Sequence, residues 1–140
     1  MASLLEERHR PHVSLVAARR LAPDAVVPAL AGASVGVGLK LELDFVGQFV
    51  GRVLWLGVVP SPELLAVHRE VHSRLVAGGV EIWDLYQPGR WVPHCTLSMR
   101  VPNPLMGAAV RRCLEFLPIT ATVVGASVTD HANGIAVPVR

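Results

Sequence analysis

Lysine is nearly absent from this chain of 140 residues, and charged residues of all kinds make up only 17% of it. Lys40 is the only lysine, so arginine supplies almost all of the positive charge, and the formal net charge is +2. A protein that holds a long duplex by its phosphates needs a much denser basic surface, so duplex DNA is not an expected partner. A small anionic ligand is compatible with this charge, because an arginine fork contacts two phosphate oxygens at once.

Cysteine and long apolar runs are also scarce. Cys95 and Cys113 are too few and too far apart for a zinc knuckle or a disulfide framework. No apolar run reaches the roughly 20 residues that a membrane span needs, and the charged residues 6–10 lack the order of a signal peptide. Apolar residues nevertheless make up 51% of the chain, enough to bury a core. We therefore expect a folded, soluble, cytoplasmic protein with no membrane partner.

Short segments with a period of two alternate with helical segments. Leu39, Leu41, Leu43 and Phe45 alternate with polar or charged residues, which predicts a half-buried strand with these four side chains in the core. In chain order the pattern predicts a strand over 12–18, a short helix over 23–30, strands over 35–45 and 53–59 joined as a hairpin around 47–51, a helix over 62–77, a strand over 93–101, a helix over 104–116, and strands over 119–128 and 135–139 with a turn at 130–134. This order indicates an α+β fold with a mainly antiparallel sheet and helices on its outer faces.

One motif, Pro-His-x-hydroxyl-Leu, occurs twice. Residues 11–15 read PHVSL and residues 93–97 read PHCTL, 82 positions later. Each copy opens a predicted strand and is followed by a helical segment and further strands. Two related lobes that face each other with pseudo-twofold symmetry, one motif in each, would account for this repeat.

The two motifs contain side chains suited to phosphate chemistry. Alternation along a strand places His12 and Ser14 on one face, and His94 and Thr96 on one face. If the symmetry brings these faces together, two imidazoles and two hydroxyls share one pocket. Hydroxyls donate to phosphate oxygens, and imidazoles exchange protons near neutral pH. Two histidines in opposite protonation states would activate a water and protonate a departing ribose oxygen without a metal.

The motif pair resembles the two-histidine (2H) phosphoesterase superfamily, also called the 2'-5' RNA ligase-like superfamily. Its members carry one His-x-Ser/Thr-x motif on a strand in each of two lobes that line a cleft. Residues 12–15 and 94–97 match that motif position by position, and the stretch 86–97, YQPGRWVPHCTL, resembles bacterial members in particular. The resemblance implies a single two-lobed domain over residues 1–140 and no cofactor.

The resemblance also implies a function. It is hydrolysis of 2',3'-cyclic phosphates or 2'-5' phosphodiester bonds in nucleotides or at RNA ends, as in RNA processing, and it includes the reverse ligation. By analogy His12 and His94 exchange protons while Ser14 and Thr96 hold the phosphate. Which histidine is the base depends on the orientation of the substrate, which the sequence leaves open.

Three further side chains near the second motif each allow two interpretations. Arg100 lies six residues after His94, so strand alternation places it on the same face, where it either reaches the phosphate or is a solvated strand end. Tyr86 and Trp91 are candidates for stacking on a nucleobase. Trp91 also fits a residue that packs beneath its own loop.

His68 and His72 have the i, i+4 spacing of metal ligands on a helix. No third ligand is visible at a helpful spacing, so we interpret both as surface or partly buried residues. Cys95 points away from the motif side chains and is expected in the core as a small hydrophobe.

The chain departs from the family pattern at its start. Family members begin with a strand and a helix before the first motif, whereas eleven residues precede His12 here. A missing first strand would leave an exposed sheet edge, which invites a homodimer. Two alternatives to the enzyme therefore stay open: a noncatalytic module that binds a nucleotide or RNA end, and an N-terminally shortened inactive homologue.

Overall fold

The computed structural model describes residues 10–130 and 135–139. Within them the strands paired as β1–β2, β2–β3 and β5–β6 are antiparallel, which confirms the α+β class. No helix in these ranges is long and apolar enough to cross a bilayer. The elements in chain order are α1 (Pro23–Ala29), β1 (Lys40–Phe49), β2 (Val53–Val58), α2 (Pro62–Ala77), a short 3-10 helix (Asp84–Tyr86), β3 (His94–Ser98), α3 (Asn103–Leu114), β4 (Ile119–Thr122), β5 (Ala126–Asp130) and β6 (Ile135–Val139).

The predicted hairpin of β1 and β2 forms, with a tighter turn at residues 50–52 and with an irregularity inside β1. The pairing register shifts between Leu43 and Phe45, so Asp44 is an extra residue in the ladder. A bulge of this kind reverses the alternation of side chains between the two faces. Leu41 and Leu43 are buried as predicted, but the prediction of Phe45 as a core residue is wrong, since its side chain is 40% exposed.

The four-stranded sheet has the order β3-β2-β1-β4. One of its faces packs against α3, where Leu54 of β2 meets the buried Val101 and Met106, with Val46 of β1 beside them. Trp55 follows Leu54 along β2 and therefore lies on the opposite face. The two faces consequently differ in character: one is an aliphatic core beneath a helix, and the other carries aromatic side chains.

The chain divides into two compact units. Of the described residues, the first unit contains residues 10–14, Leu41–Val59 and Pro93–Ala121, and the second contains the others. The core of the second unit unites α1, α2, β5 and β6 through Val26, Leu30, Val71, Leu75, Ile82, Val128 and Val139. Both histidine motifs belong to the first unit up to Ser14, whereas the sequence predicted one motif in each lobe.

The strand predicted over residues 12–18 is not formed as a ladder. Only Ala18 makes a strand-like bridge, to Ile82, and the Trp83 amide donates to the Ala17 carbonyl at 3.1 Å. Pro11 has no amide hydrogen to donate, which disfavours a regular ladder at the start of this segment. The segment is therefore attached at its end rather than paired along its length.

The strand predicted over residues 119–128 is divided into β4 and β5. Between them the Val123 amide donates to the Leu39 carbonyl, and the Val123 carbonyl accepts from the Gly38 amide. These bonds join Val123 to the residues directly before β1, the neighbour of β4, whereas β5 pairs with β6 in a separate two-stranded sheet. Most of the turn predicted at 130–134 lies outside the described residues.

The start of α2 follows the predicted helix signal. Ser61 is the N-cap, its hydroxyl accepts from the Leu64 amide at 3.1 Å, and Pro62 occupies the first helical position. We expect Ser61→Ala to lower the free energy of unfolding by about 0.5–2 kcal/mol, because one orphan amide loses its acceptor. Urea denaturation measures the loss, and Ser73→Ala on the exposed side of the same helix is the control, expected near zero. Equal values for the two variants would contradict the capping role.

Candidate active site

The second motif lies on β3, at the edge of the four-stranded sheet. His94 is paired with Gly57 and Thr96 with Trp55 across the β2–β3 ladder. Paired residues direct their side chains to the same face, so the imidazole of His94 and the hydroxyl of Thr96 share the face opposite α3. Both side chains are half-buried.

Two aromatic rings contact His94 on this face and a third contacts one of them, and we call Phe45, Phe49, Trp55 and His94 the aromatic face. The ring of His94 meets Phe49 edge-on, with centroids 4.8 Å apart at 88°, and lies 5.6 Å from Trp55. Phe49 and Trp55 are themselves 4.8 Å apart, and Phe45 contacts Trp55 edge-on at 6.1 Å. The imidazole is thus held by ring contacts, which restrict its orientation.

Two glycines make room for these rings. A methyl group at Gly47 would overlap the six-membered ring of Trp55, and one at Gly57 would overlap the ring of Phe45. Sequence reasoning did not identify this arrangement, since it assigned Phe45 to the core. Glycine within a strand is a signal that something approaches the backbone closely, and that signal was available.

Unlike the second motif, the first motif does not lie on a paired strand, but a hydrogen bond defines the orientation of its histidine ring. Nδ1 of His12 lies 2.8 Å from the Arg10 carbonyl. Because a carbonyl accepts only, Nδ1 carries the hydrogen, and Nε2 has the lone pair whenever the ring is neutral. His12 is exposed and Ser14 is half-buried.

A contact to Cys95 links the first motif to the second. The backbone of His12 hydrogen-bonds to the Cys95 thiol, which lies between His94 and Thr96 in the chain. Burial raises the pKa of this thiol, and the hydrogen bond from His12 opposes the rise. Cys95 is buried, as predicted. The first motif therefore runs beside the second, within one compact unit.

Arg100 is placed differently from what strand alternation implied. β3 ends at Ser98, and the register shifts where Ser98 pairs with Leu54 while Thr96 pairs with Trp55. The shift reverses the alternation after Thr96, so the argument that Arg100 shares a face with His94 does not hold. Arg100 is exposed beyond the strand end.

Tyr86 and Trp91 belong to the second compact unit. Trp91 is only 8% exposed and stacks on His68 with ring centroids 4.1 Å apart and planes at 5°. It also borders a cavity of about 340 Å³ that Arg69 helps to line. Tyr86 is half-buried, and burial raises the pKa of its phenol.

The interpretation of His68 as a surface or partly buried residue is wrong, because its side chain is 2% exposed and belongs to the buried side of α2. Nε2 donates to the Tyr86 carbonyl at 3.0 Å. The ring of His72 is 6.2 Å away, centroid to centroid. Within residues 10–130 and 135–139, no group of three or more His, Cys, Asp or Glu side chains is placed to hold a metal ion.

Several groups act on the pKa of His68, and the net effect lowers it from the ordinary value of 6.5. Burial is the largest cause, and the positive charges of His72 and Arg69 act in the same direction. Hydrogen bonds to the backbone of Tyr86 and of Leu15 oppose the shift. The folded protein therefore prefers the neutral ring.

This shift makes stability depend on pH. As the pH falls below 6.5, His68 of the unfolded chain takes up a proton first, while the folded protein resists protonation. The free energy of unfolding therefore falls with pH until the folded-state pKa is passed. Urea denaturation at about pH 7.5 and about pH 5 should show a smaller fall in His68→Phe than in the wild type. The same fall in both proteins would contradict the assignment.

Comparison with known proteins identifies the family. The sequence matches the profile of the 2'-5' RNA ligase superfamily over residues 5–135, and no functionally curated protein matches it. A solved structure described as a phosphoesterase superposes with a TM-score of 0.58 and 22% identity, over 94% of this chain and 75% of the other. E. coli LigT in complex with NADP+ superposes with a TM-score of 0.54 and 22% identity, over 96% of this chain and 79% of LigT. These structures share the fold, and because the family profile covers nearly the whole sequence, the chain belongs to the 2'-5' RNA ligase superfamily of 2H phosphoesterases.

Proposed function

We propose that this protein is a metal-independent phosphoesterase that acts on 2',3'-cyclic phosphate or 2'-5' phosphodiester bonds of nucleotides or RNA ends. Proton transfer by His12 and His94 carries the reaction. The observation that supports this most directly is that His12 and Ser14 lie in the same compact unit as His94 and Thr96, although the two motifs are 82 positions apart in sequence.

The reaction on a 2',3'-cyclic nucleotide needs one base and one acid. The neutral histidine takes a proton from water as the water oxygen forms a bond to phosphorus. The bond from phosphorus to one ribose oxygen breaks, and the protonated histidine gives its proton to that oxygen. The product is a nucleoside 2'- or 3'-monophosphate, and each transfer contributes about 100-fold to 10,000-fold in rate.

The surroundings of the two histidines fit these roles. With Nδ1 of His12 bonded to the Arg10 carbonyl, Nε2 is the atom that accepts or donates the transferred proton. The ring contacts of His94 with Phe49 and Trp55 limit its rotation, which favours a defined proton-transfer geometry. Either histidine serves as the base, according to the direction in which the substrate binds.

The phosphate is held by hydroxyl groups. Thr96 shares a face with His94, and Ser14 follows His12 by two residues. Their hydroxyls donate to the nonbridging phosphate oxygens, on which negative charge develops in the transition state. Arg100, which follows the end of β3, is the proposed cationic contact of the phosphate.

A nucleotide is the proposed substrate class. The superposable E. coli LigT structure contains NADP+, which is itself a nucleotide. Trp91 and Tyr86 are the proposed stacking residues for a base, and Trp91 borders the cavity that Arg69 helps to line. Aromatic faces hold bases with little dependence on base identity.

The test is incubation of the full chain with each of the four 2',3'-cyclic nucleotides and with a 2'-5'-linked dinucleotide, in the presence of a chelator. Chromatography identifies the monophosphate and its isomer. We expect turnover that the chelator does not reduce. Turnover that the chelator abolishes would contradict the metal-independent mechanism.

Binding without turnover is the other informative result. Isothermal titration with the same nucleotides would then identify a noncatalytic module or an inactive homologue, and the catalytic proposal would be wrong.

The expected homodimer through a sheet edge and the cytoplasmic location stay predictions. β4 is an outer strand of the four-stranded sheet, and analytical ultracentrifugation tests the dimer.

A further inference from the structure

An arginine in the turn of the β1–β2 hairpin has a backbone conformation that arginine seldom adopts. The φ angle of Arg52 is 72°, and within residues 10–130 and 135–139 no other residue except glycine has a positive φ. Glycine adopts this conformation at no steric cost, whereas a side chain makes it less favourable. An arginine at a position that suits glycine better indicates that its side chain has a use.

The backbone of Arg52 is fixed to the chain beyond the end of β3. Its carbonyl accepts from the Val101 amide at 3.0 Å, and Val101 is fully buried in the core beneath α3. Arg100 is bonded directly to Val101, so the Cα atoms of the two arginines lie within about 8 Å of each other. The fold thus brings together two cations that are 48 positions apart in sequence.

Both guanidinium groups are available to an external anion. Arg52 and Arg100 are exposed, and neither side chain forms an ion pair or a hydrogen bond with the described part of the chain. Arg112, by contrast, is paired with Glu115 and lies over the ring of Phe116. The potentials of two neighbouring cations add, and an arginine fork contacts two phosphate oxygens at once. This end of the sheet is therefore suited to phosphate groups.

The arginine pair belongs to the same compact unit as both histidine motifs. Phe49 lies between the two places. Its ring contacts that of His94, with centroids 4.8 Å apart, and its backbone pairs with Val53, the residue after Arg52. The side chain of Phe49 is 36% exposed. A substrate whose reacting phosphate lies at His94 can therefore extend along Phe49 toward the arginines.

We propose that Arg52 binds a second phosphate of the substrate, next to the phosphate that reacts, and so selects substrates with two or more phosphates. This inference rests on the proposed function, in which Arg100 contacts the reacting phosphate. The second phosphate is either the 5'-phosphate of a cyclic nucleotide or a backbone phosphate of an oligoribonucleotide. Arg52 is a specificity residue and takes no part in proton transfer.

The experiment compares three substrates: a 2',3'-cyclic nucleoside phosphate, the same compound with a 5'-phosphate, and a trinucleotide that ends in a 2',3'-cyclic phosphate. Arg52→Gly removes the side chain and suits the observed backbone, so the melting temperature should not fall. Arg111→Gln, at an exposed position of α3 in the same unit, is the control for the loss of one positive charge. Steady-state kinetics give kcat and KM between about 50 and 200 mM salt.

For the wild type we expect a lower KM when a second phosphate is present. A lower KM for the trinucleotide alone identifies a backbone phosphate, and a lower KM for the 5'-phosphorylated compound identifies a terminal phosphate. Arg52→Gly should raise KM for the preferred substrate by about 10-fold, with little change in kcat. With the trinucleotide, the slope of log KM against log salt should become shallower by about 0.7, the value for one contact with a single strand. Arg111→Gln should match the wild type.

Two results would overturn the proposal: equal KM values for the three substrates in the wild type, or an equal rise in KM for Arg52→Gly and Arg111→Gln. Fluorescence anisotropy with a labelled trinucleotide that ends in a 3'-phosphate measures binding without turnover. If the wild type hydrolyses nothing, the proposed function fails on the assay, while weaker binding confined to Arg52→Gly still supports the phosphate contact. Equal binding by the wild type and Arg52→Gly contradicts it.

Discussion

Replacing His12 or His94 by alanine is expected to lower kcat on a 2',3'-cyclic nucleotide by about 100-fold to 10,000-fold, because each variant lacks one of two proton-transfer groups. The measurement is the initial rate of monophosphate release, with substrate above KM. His12 is exposed, so its removal should leave the melting temperature almost unchanged. His94 contacts Phe49 and Trp55, and its removal should also cost some stability.

The double variant distinguishes a shared reaction from two separate effects. Residues that act as a unit are strongly non-additive, so His12→Ala with His94→Ala should be little worse than the poorer single variant. His72→Ala, on α2, is the control and should retain the wild-type rate. A single variant of either motif that keeps the wild-type rate would refute the two-histidine mechanism.

Gly47→Ala is expected to lower the free energy of unfolding by about 1–3 kcal/mol, because a methyl group at this position would overlap the ring of Trp55. Trp55 is only 8% exposed, so its ring has little room to move away. The same ring contacts His94, and kcat should therefore fall together with stability. Urea denaturation and the cyclic nucleotide assay measure the two effects.

Gly57→Ala is the matched control for that prediction. Its methyl group would overlap the ring of Phe45, but Phe45 is 40% exposed and can turn toward solvent. The loss of stability should therefore be smaller than for Gly47→Ala.

Trp55→Phe in the Gly47→Ala background should restore part of the loss, since phenylalanine lacks the overlapping atoms. It also removes an indole nitrogen that is buried without a hydrogen-bond partner in the described residues. An equal cost for both glycine variants, with no rescue, would contradict the packing of the aromatic face.

Local features were predictable from the residues alone. The N-cap at Ser61 and the helix over Pro62–Ala77 follow from short-range chemistry and apolar spacing, and both are confirmed. The α+β class follows from the order of such elements, and the repeated His-x-hydroxyl motif led to the family. Each of these depends on residues within a few positions of one another, or on the order and repetition of such short patterns along the sequence.

Other features depended on which segments meet. The bulge at Asp44 turns Phe45 away from the core, and the register shift beyond Thr96 removes the alternation argument for Arg100. Neither is encoded by a period of two, because a bulge is set by how two strands fit against their neighbours. The burial of His68 has the same origin, since its partners Tyr86 and Trp91 are distant in sequence.

The residue pattern alone thus determined the helices, most of the strands and the pair of histidines that define the family, because propensity and periodicity act locally along the chain. Only the tertiary structure decided which side chains surround those histidines. It placed the His12 backbone against Cys95, the rings of Phe49 and Trp55 against His94, and His68 against Tyr86 and Trp91. Such contacts follow from the packing of residues that are far apart in sequence, which no local pattern records.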